Sequence, residues 1–191
     1  MNPRIPIALA LLATAACQAP SEDTSISSLN RVENPALELA IADLPAPFVL
    51  AENAGTTLRF ETTHETGGTL AVTVGEPEYG LNLPALVKNR GDAFRARPGG
   101  EYNGSRELGT PFGPAYYSRG SYDTDHGREE QTWIFALHPA DGSRLLTLTY
   151  TYPPGEGQTR VNELLSVLGE IEALAGTAAP AATEAAGDPG A

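Results

Sequence analysis

Residues 144–152 read RLLTLTYTY, and no other stretch constrains the fold as much. Leu146, Leu148, Tyr150 and Tyr152 occupy alternate positions, with Leu145, Thr147, Thr149 and Thr151 between them. A period of two is that of a β-strand with one face against a core. Such a strand needs neighbours to satisfy its backbone and a second layer to cover its apolar face. The sequence just downstream supplies a cover. After Pro153-Pro154-Gly155, the residues Val161, Leu164, Leu165, Leu168, Ile171 and Leu174 recur at helical spacing. They predict a helix over 159–174 with Gly176 as its stop, its stripe buried on the aromatic face of the sheet.

The rest of the chain between 36 and 175 extends this pattern. Leu37–Ile41 alternates as a first strand. Residues 57–61 and 69–74 alternate as a hairpin, with Gly67-Gly68 before the second run. Asn82 suits a helix N-cap, and Pro84 is tolerated in the first turn. Leu83, Leu86, Val87 and Phe94 form one side of that helix, continued by Arg90 and Arg97, with Gly91 weakening it and Pro98-Gly99-Gly100 ending it. Strands follow at 105–108, 115–122 and 131–138, joined by turns at 123–128 and 139–142. Tyr116, Ser118 and Tyr122 share one face of the second, Tyr117 and Arg119 the other. Trp133, Phe135 and Leu137 share one face of the third. The order predicts an α+β domain with a mainly antiparallel sheet of about five to seven strands packed against two helices.

Composition limits the function. The chain has 24 acidic and 12 basic residues, a formal charge of -12. A nucleic-acid binder needs a basic face, so nucleic acid is not an expected partner. One Cys excludes an internal disulfide and a multi-Cys zinc site.

That Cys ends an N-terminal address. Arg4 precedes an uncharged run, Ile5–Ala16, too short for a permanent membrane span and right for a signal peptide over 1–16. Thr14-Ala15-Ala16-Cys17 resembles the lipobox of bacterial lipoproteins, in which cleavage before the Cys is coupled to its lipidation. The competing reading is plain secretion with cleavage after Ala13-Thr14-Ala15, which leaves Cys17 an unpaired thiol. The resemblance implies lipid attachment at Cys17 and a membrane partner reached through that lipid. Gln18, where an Asp retains many such proteins at the inner membrane, implies the periplasmic face of the outer membrane. Residues 17–35 read as a flexible tether and 176–191 as a disordered Ala/Pro/Gly tail. Cleavage also removes Arg4, leaving eleven basic against 24 acidic residues, or -13.

The middle of the chain resembles the PsbP-like superfamily, which includes the DcrB-type lipoproteins. The resemblance is carried by the hairpin leading into Leu81-Asn82-Leu83-Pro84-Ala85-Leu86, by Pro114-Ala115-Tyr116-Tyr117, and by Leu145–Tyr150 with its following helix. It implies a PsbP-like α/β sandwich over about 36–174 and an accessory, assembly or binding role with a protein partner in the envelope. It implies no shared active site, and fold does not fix function.

Nothing in the residues assembles a catalytic or metal signature. His64, His126 and His138 are dispersed, and no G-x-S-x-G, H-E-x-x-H, P-loop or dinucleotide fingerprint occurs. The expectation is therefore no enzyme, no metal and no cofactor, with a secreted enzyme as an alternative. Asp123 and Asp125 alternate as calcium ligands do, but Gly127 and the strand flanks depart from an EF-hand, so a solvated turn is expected. Tyr117, Arg119 and Trp133 are candidates for a small-ligand pocket lined by sheet aromatics, against core packing as the plainer reading. Arg90, Arg95, Arg97 and Arg106 make a basic stretch in an acidic chain, read as a solvated helix face or as a surface for an anionic partner.

Overall fold

A computed structural model describes residues 30–76, 80 and 82–174. Its elements run β1 (Val32–Asn34), β2 (Leu39–Ile41), β3 (Phe48–Ala54), β4 (Thr57–Thr62), β5 (Thr69–Gly75), α1 (Leu83–Arg95), β6 (Glu101–Thr110), β7 (Gly113–Thr124), β8 (Gly127–Leu137), β9 (Leu145–Tyr152), α2 (Gly157–Gly169) and β10 (Ile171–Ala173). Seven strands form an antiparallel sheet in the order β3-β4-β5-β9-β8-β7-β6, and β1-β2-β10 form a small second sheet. The fold is α+β with two helices and a mainly antiparallel sheet, as the periodicities require.

Register assigns the sheet's two faces. Tyr150 lies opposite Thr132 on β8 and Leu70 on β5, and Leu148 opposite Ile134 and Val72. Leu58 and Phe60 on β4 continue this face. It packs against Leu164, Val167 and Leu168 of α2 and against Leu37, Leu39 and Ile41 of the small sheet and the turn before it. Side chains alternate along β8, so Trp133 and Phe135 point the other way. They meet Leu83, Val87 and Phe94 of α1. The helices therefore cover opposite faces. The aromatics divide between them: Tyr150 and Tyr152 lie with α2, whereas Tyr116, Tyr122, Trp133 and Phe135 lie with α1.

Helix α1 begins as its sequence predicts, with the Asn82 side chain accepting from the Ala85 N–H at 3.1 Å. Gly91 is buried on the sheet-facing stripe, where a Cβ would stand 2.9 Å from the Tyr102 ring. Close approach, and not helix propensity, explains glycine there. Gly120 on β7 is equally confined, since a Cβ would lie 2.6 Å from both the Glu101 carbonyl and the Phe94 ring.

Several expected boundaries move. The helix expected over 159–174 stops at Gly169, and Ile171–Ala173 pairs with β2, Ile171 opposite Ile41. Ile171 satisfies the helical stripe by spacing alone, and burial in the small sheet takes it instead. The folded region begins before residue 36. β1 occupies Val32–Asn34, and Asn34 is buried, accepting from Leu37 N–H at 2.9 Å and donating to Asn53 Oδ1 at 2.9 Å. β3 had no sequence signal, because it is an edge strand with only Phe48 buried and a bulge between Leu50 and Glu52. The turn expected over 123–128 shrinks to Asp125-His126, closed by the pair Thr124 and Gly127.

Candidate functional site

The residues singled out from sequence do not converge. Cys17 lies outside the described residues. Tyr117 and Arg119 stand opposite Ile134 and Thr132 on the α2 face, whereas Trp133 points to the α1 face. The three therefore line no common pocket. Trp133 is 2% exposed and sits edge-on to Phe94, centroids 4.5 Å apart. Arg119 lies beneath the start of α2, where a Cβ on Gly157 would stand 2.3 Å from its Nη1.

The Asp123 carboxylate accepts from Arg128 Nη1 at 3.1 Å, and Asp125 is exposed at the hairpin tip. Among the described residues no three His, Cys, Asp or Glu side chains are grouped to hold a metal. The histidines are separate. His126 is exposed at the tip, and His64 Nε2 lies 2.8 Å from Glu163 Oε1. Buried His138 has Nε2 2.8 Å from the Leu37 carbonyl and Nδ1 3.3 Å from the Ala140 N–H. Nε2 therefore carries the proton and Nδ1 accepts, which ties the β8–β9 turn to the small sheet.

The densest polar cluster lies inside, under the first turns of α2. Arg160 has no exposed side-chain surface. Its Nη2 meets Glu156 Oε2 at 2.5 Å and Thr66 Oγ1 at 2.7 Å, and its Nη1 meets the Tyr150 hydroxyl at 3.1 Å and Glu163 Oε2 at 3.4 Å. The Tyr150 hydroxyl donates to Glu163 Oε2 at 3.0 Å. The sequence carries a signal for this cluster that periodicity counts pass over: Arg160 stands at i−4 and i−8 from Leu164 and Leu168, an arginine on an apolar stripe. The cluster's buried polar atoms, the Arg160 Nε excepted, are turned to one another, so the cluster holds α2 to β9.

Burial first, and then the hydrogen bond to the Glu163 carboxylate, push Tyr150 well above the ordinary tyrosine range, with Arg160 opposing. The folded state holds this proton more tightly than the unfolded chain does. Its contribution is complete below about pH 10 and is lost as pH rises above that value. Titration followed at 295 nm and by circular dichroism is expected to leave part of the tyrosine absorbance undeveloped until the fold itself is lost. All tyrosines ionising together near pH 10 in an intact fold would contradict this.

Two solvent-facing grooves flank α1. A groove of about 350 Å³ separates α1 from β6 and β7, lined by Val87, Lys88, Arg95, Tyr102, Ser105 and Tyr116 among others. A wider one of about 650 Å³ runs along the other flank, between Leu86 and Arg90 of α1 and Phe135, Leu145 and Thr147 of the sheet. Arg95 is held over the Tyr102 ring at 4.8 Å and bonded to Asp92 at 2.8 Å, and Arg97 lies over Tyr122 at 4.5 Å. The basic stretch read from sequence is thus partly assembled here. Arg106 is excluded from it, because it stands opposite Tyr117 and faces the α2 side. Lys88, Tyr102 and Ser105 are added by the tertiary structure. Nothing in their spacing marks them, since β6 reaches α1 only through the loop at 96–100.

No protein-family model matches the chain, and no curated protein matches it in sequence. Solved structures do match it. LpqN of Mycobacterium tuberculosis, involved in cell envelope biogenesis, superposes with a TM-score of 0.52 at 11% identity, over 68% of this chain and 79% of LpqN. PsbP of the cyanobacterium Synechocystis gives 0.52 at 12% identity, over 82% of this chain and 98% of that one. Mog1p, a Ran-binding protein of Saccharomyces cerevisiae, gives 0.50 at 10%, over 75% and 94%. At such identities the likeness is one of fold. The chain shares its α+β fold with these proteins, which fits the PsbP-like layout of its sequence.

Proposed function

We propose that this chain is an exported lipoprotein held at the cell envelope through Cys17, where its domain acts as a non-catalytic accessory or protein-binding module. The observation that carries the reading is the disposition of its polar groups. His64, Tyr150, Arg160 and Glu163 are hydrogen-bonded to one another beside α2, while cations and tyrosines beside α1 line open grooves. A surface of that kind suits contact with another macromolecule better than turnover of a small substrate. The fold is shared with a protein of envelope biogenesis and with a Ran-binding protein, which is compatible with the same reading. Among the described residues no helix is long and apolar enough to cross a membrane. An acidic domain also gains no electrostatic hold on an anionic leaflet, so retention falls to the lipid.

Cys17→Ser tests the anchor. Wild-type chain is expected in the membrane fraction with an intact mass that includes the acyl chains, and the variant is expected to be released or left unprocessed. Wild type recovered without lipid defeats the anchor. Turnover on a hydrolase panel, abolished by substitution of one His, Asp or Ser, defeats the non-catalytic reading.

A further inference from the structure

The cations of this acidic chain are distributed unevenly. Arg31, Arg59, Arg128, Arg144 and Arg160 each pair with two carboxylates. Among the described residues, Lys88, Arg90, Arg97, Arg106 and Arg119 have no carboxylate within ion-pair distance, and the first three are exposed along α1 and its C-terminal end. The guanidinium of Arg97 is positioned by the Tyr122 ring and that of Arg95 by Tyr102, so both are held in place before anything binds. Beside them lies the groove floored by Tyr102, Tyr116 and Ser105. Its outer wall is β6, the last strand of the sheet, which among the described strands pairs with β7 alone. After a bulge between Tyr102 and Ser105, the register of β6 with β7 is regular from Ser105 to Thr110, and none of the described strands is paired to its outer edge.

We infer that α1 and the edge of β6 form the docking surface for an extended acidic segment of a partner protein. Its backbone would add to β6, and its carboxylates would meet Lys88, Arg95 and Arg97. The inference rests on the reading of the domain as a protein-binding module and names the chemistry of what it binds. An open strand edge favours a polypeptide over other anions, because only a polypeptide offers alternating backbone donors and acceptors. A membrane fits poorly. The buried stripe of α1, Leu83, Val87 and Phe94, is already spent on the sheet, and the chain as a whole is strongly acidic.

The test uses the full chain in non-ionic detergent and a fluorescein-labelled dodecapeptide of alternating Glu and Val, followed by anisotropy. Binding is expected at low salt, weakened about tenfold at high salt and about tenfold by Lys88→Glu with Arg97→Glu. The Gln analogue is expected not to bind. Both substituted residues are exposed, so the circular dichroism and Tm of the variant should match wild type. Arg59→Glu, on a distant strand, should bind as wild type does. Failure of wild type to bind the peptide, or equal binding by the double variant, overturns the proposal. So does charge-dependent binding to phosphatidylglycerol vesicles without binding to the peptide, which assigns the patch to a membrane. A photocrosslinker carried in cells at Ser105 and at sites elsewhere on the domain separates this proposal from the broader reading. Protein adducts only from the other sites defeat the docking surface and leave the binding module standing. Adducts from no site defeat both.

Discussion

Arg160→Met is expected to destabilise the domain by about 3 kcal/mol, the lower end of the cost of removing one partner from a buried ion pair. Glu163 is the reason. Its side chain is only 13% exposed, and it loses the cation while keeping the Tyr150 hydroxyl and His64. In a domain of this size the change corresponds to a fall in Tm of roughly 6–12 °C. Denaturant unfolding followed by circular dichroism measures it directly. The double variant Arg160→Met with Glu163→Gln is expected to recover more than half of the loss, since it removes the unpaired charge along with the cation. A single variant within 1 kcal/mol of wild type would show that water or local rearrangement satisfies Glu163, and that the cluster does not fasten α2.

Trp133→Ala is expected to cost about 3–5 kcal/mol, the range for truncating a buried large aromatic. Trp133 is the floor on which α1 rests: Phe94 stacks edge-on against it and in turn holds Tyr122 at 5.2 Å. The apolar cluster under α1 is much the smaller of the two, with five fully buried members. Its loss is therefore expected to free α1 before the rest of the sheet opens. Hydrogen exchange separates the two events. Amides of α1 should lose protection in the variant while those of β5 and β9 keep theirs. Uniform loss across all elements would show that the two faces unfold as one unit. The same variant should weaken capture of the acidic peptide, because the groove depends on α1 keeping its seat against β6.

Much of the fold is legible in the sequence, and the exceptions share a cause. β4, β5, β7, β8, β9 and the start of α1 were readable because each is long enough to repeat its period several times with one face buried. β3 repeats nothing, because at the sheet edge only Phe48 is covered, while Val49 is 53% exposed. β1, β2 and β10 are three residues each, below the length at which a period of two can be told from one of 3.6. The end of α2 misleads for that reason. Ile171 and Leu174 continue the stripe of Leu164 and Leu168 in spacing, and only pairing with a strand some 130 residues earlier turns Ile171–Ala173 into β10.

The candidate site was less legible than the fold. Tyr117, Arg119 and Trp133 are near in sequence and on neighbouring strands, yet register places the first two and the third on opposite faces. The basic run 90–106 likewise loses Arg106 to the other face and gains Lys88, Tyr102 and Ser105. The sequence alone determined the α+β class, the acidic character of the chain, the expectation of an anchor at Cys17, and the elements whose periods are long. The tertiary structure decided which helix covers which face, where α2 ends, and that the unpaired cations of α1 meet the open edge of β6. Periodicity is a local property set by one buried face, whereas strand order and register are fixed by non-local pairing and core packing, which leave no repeat in the residues they join.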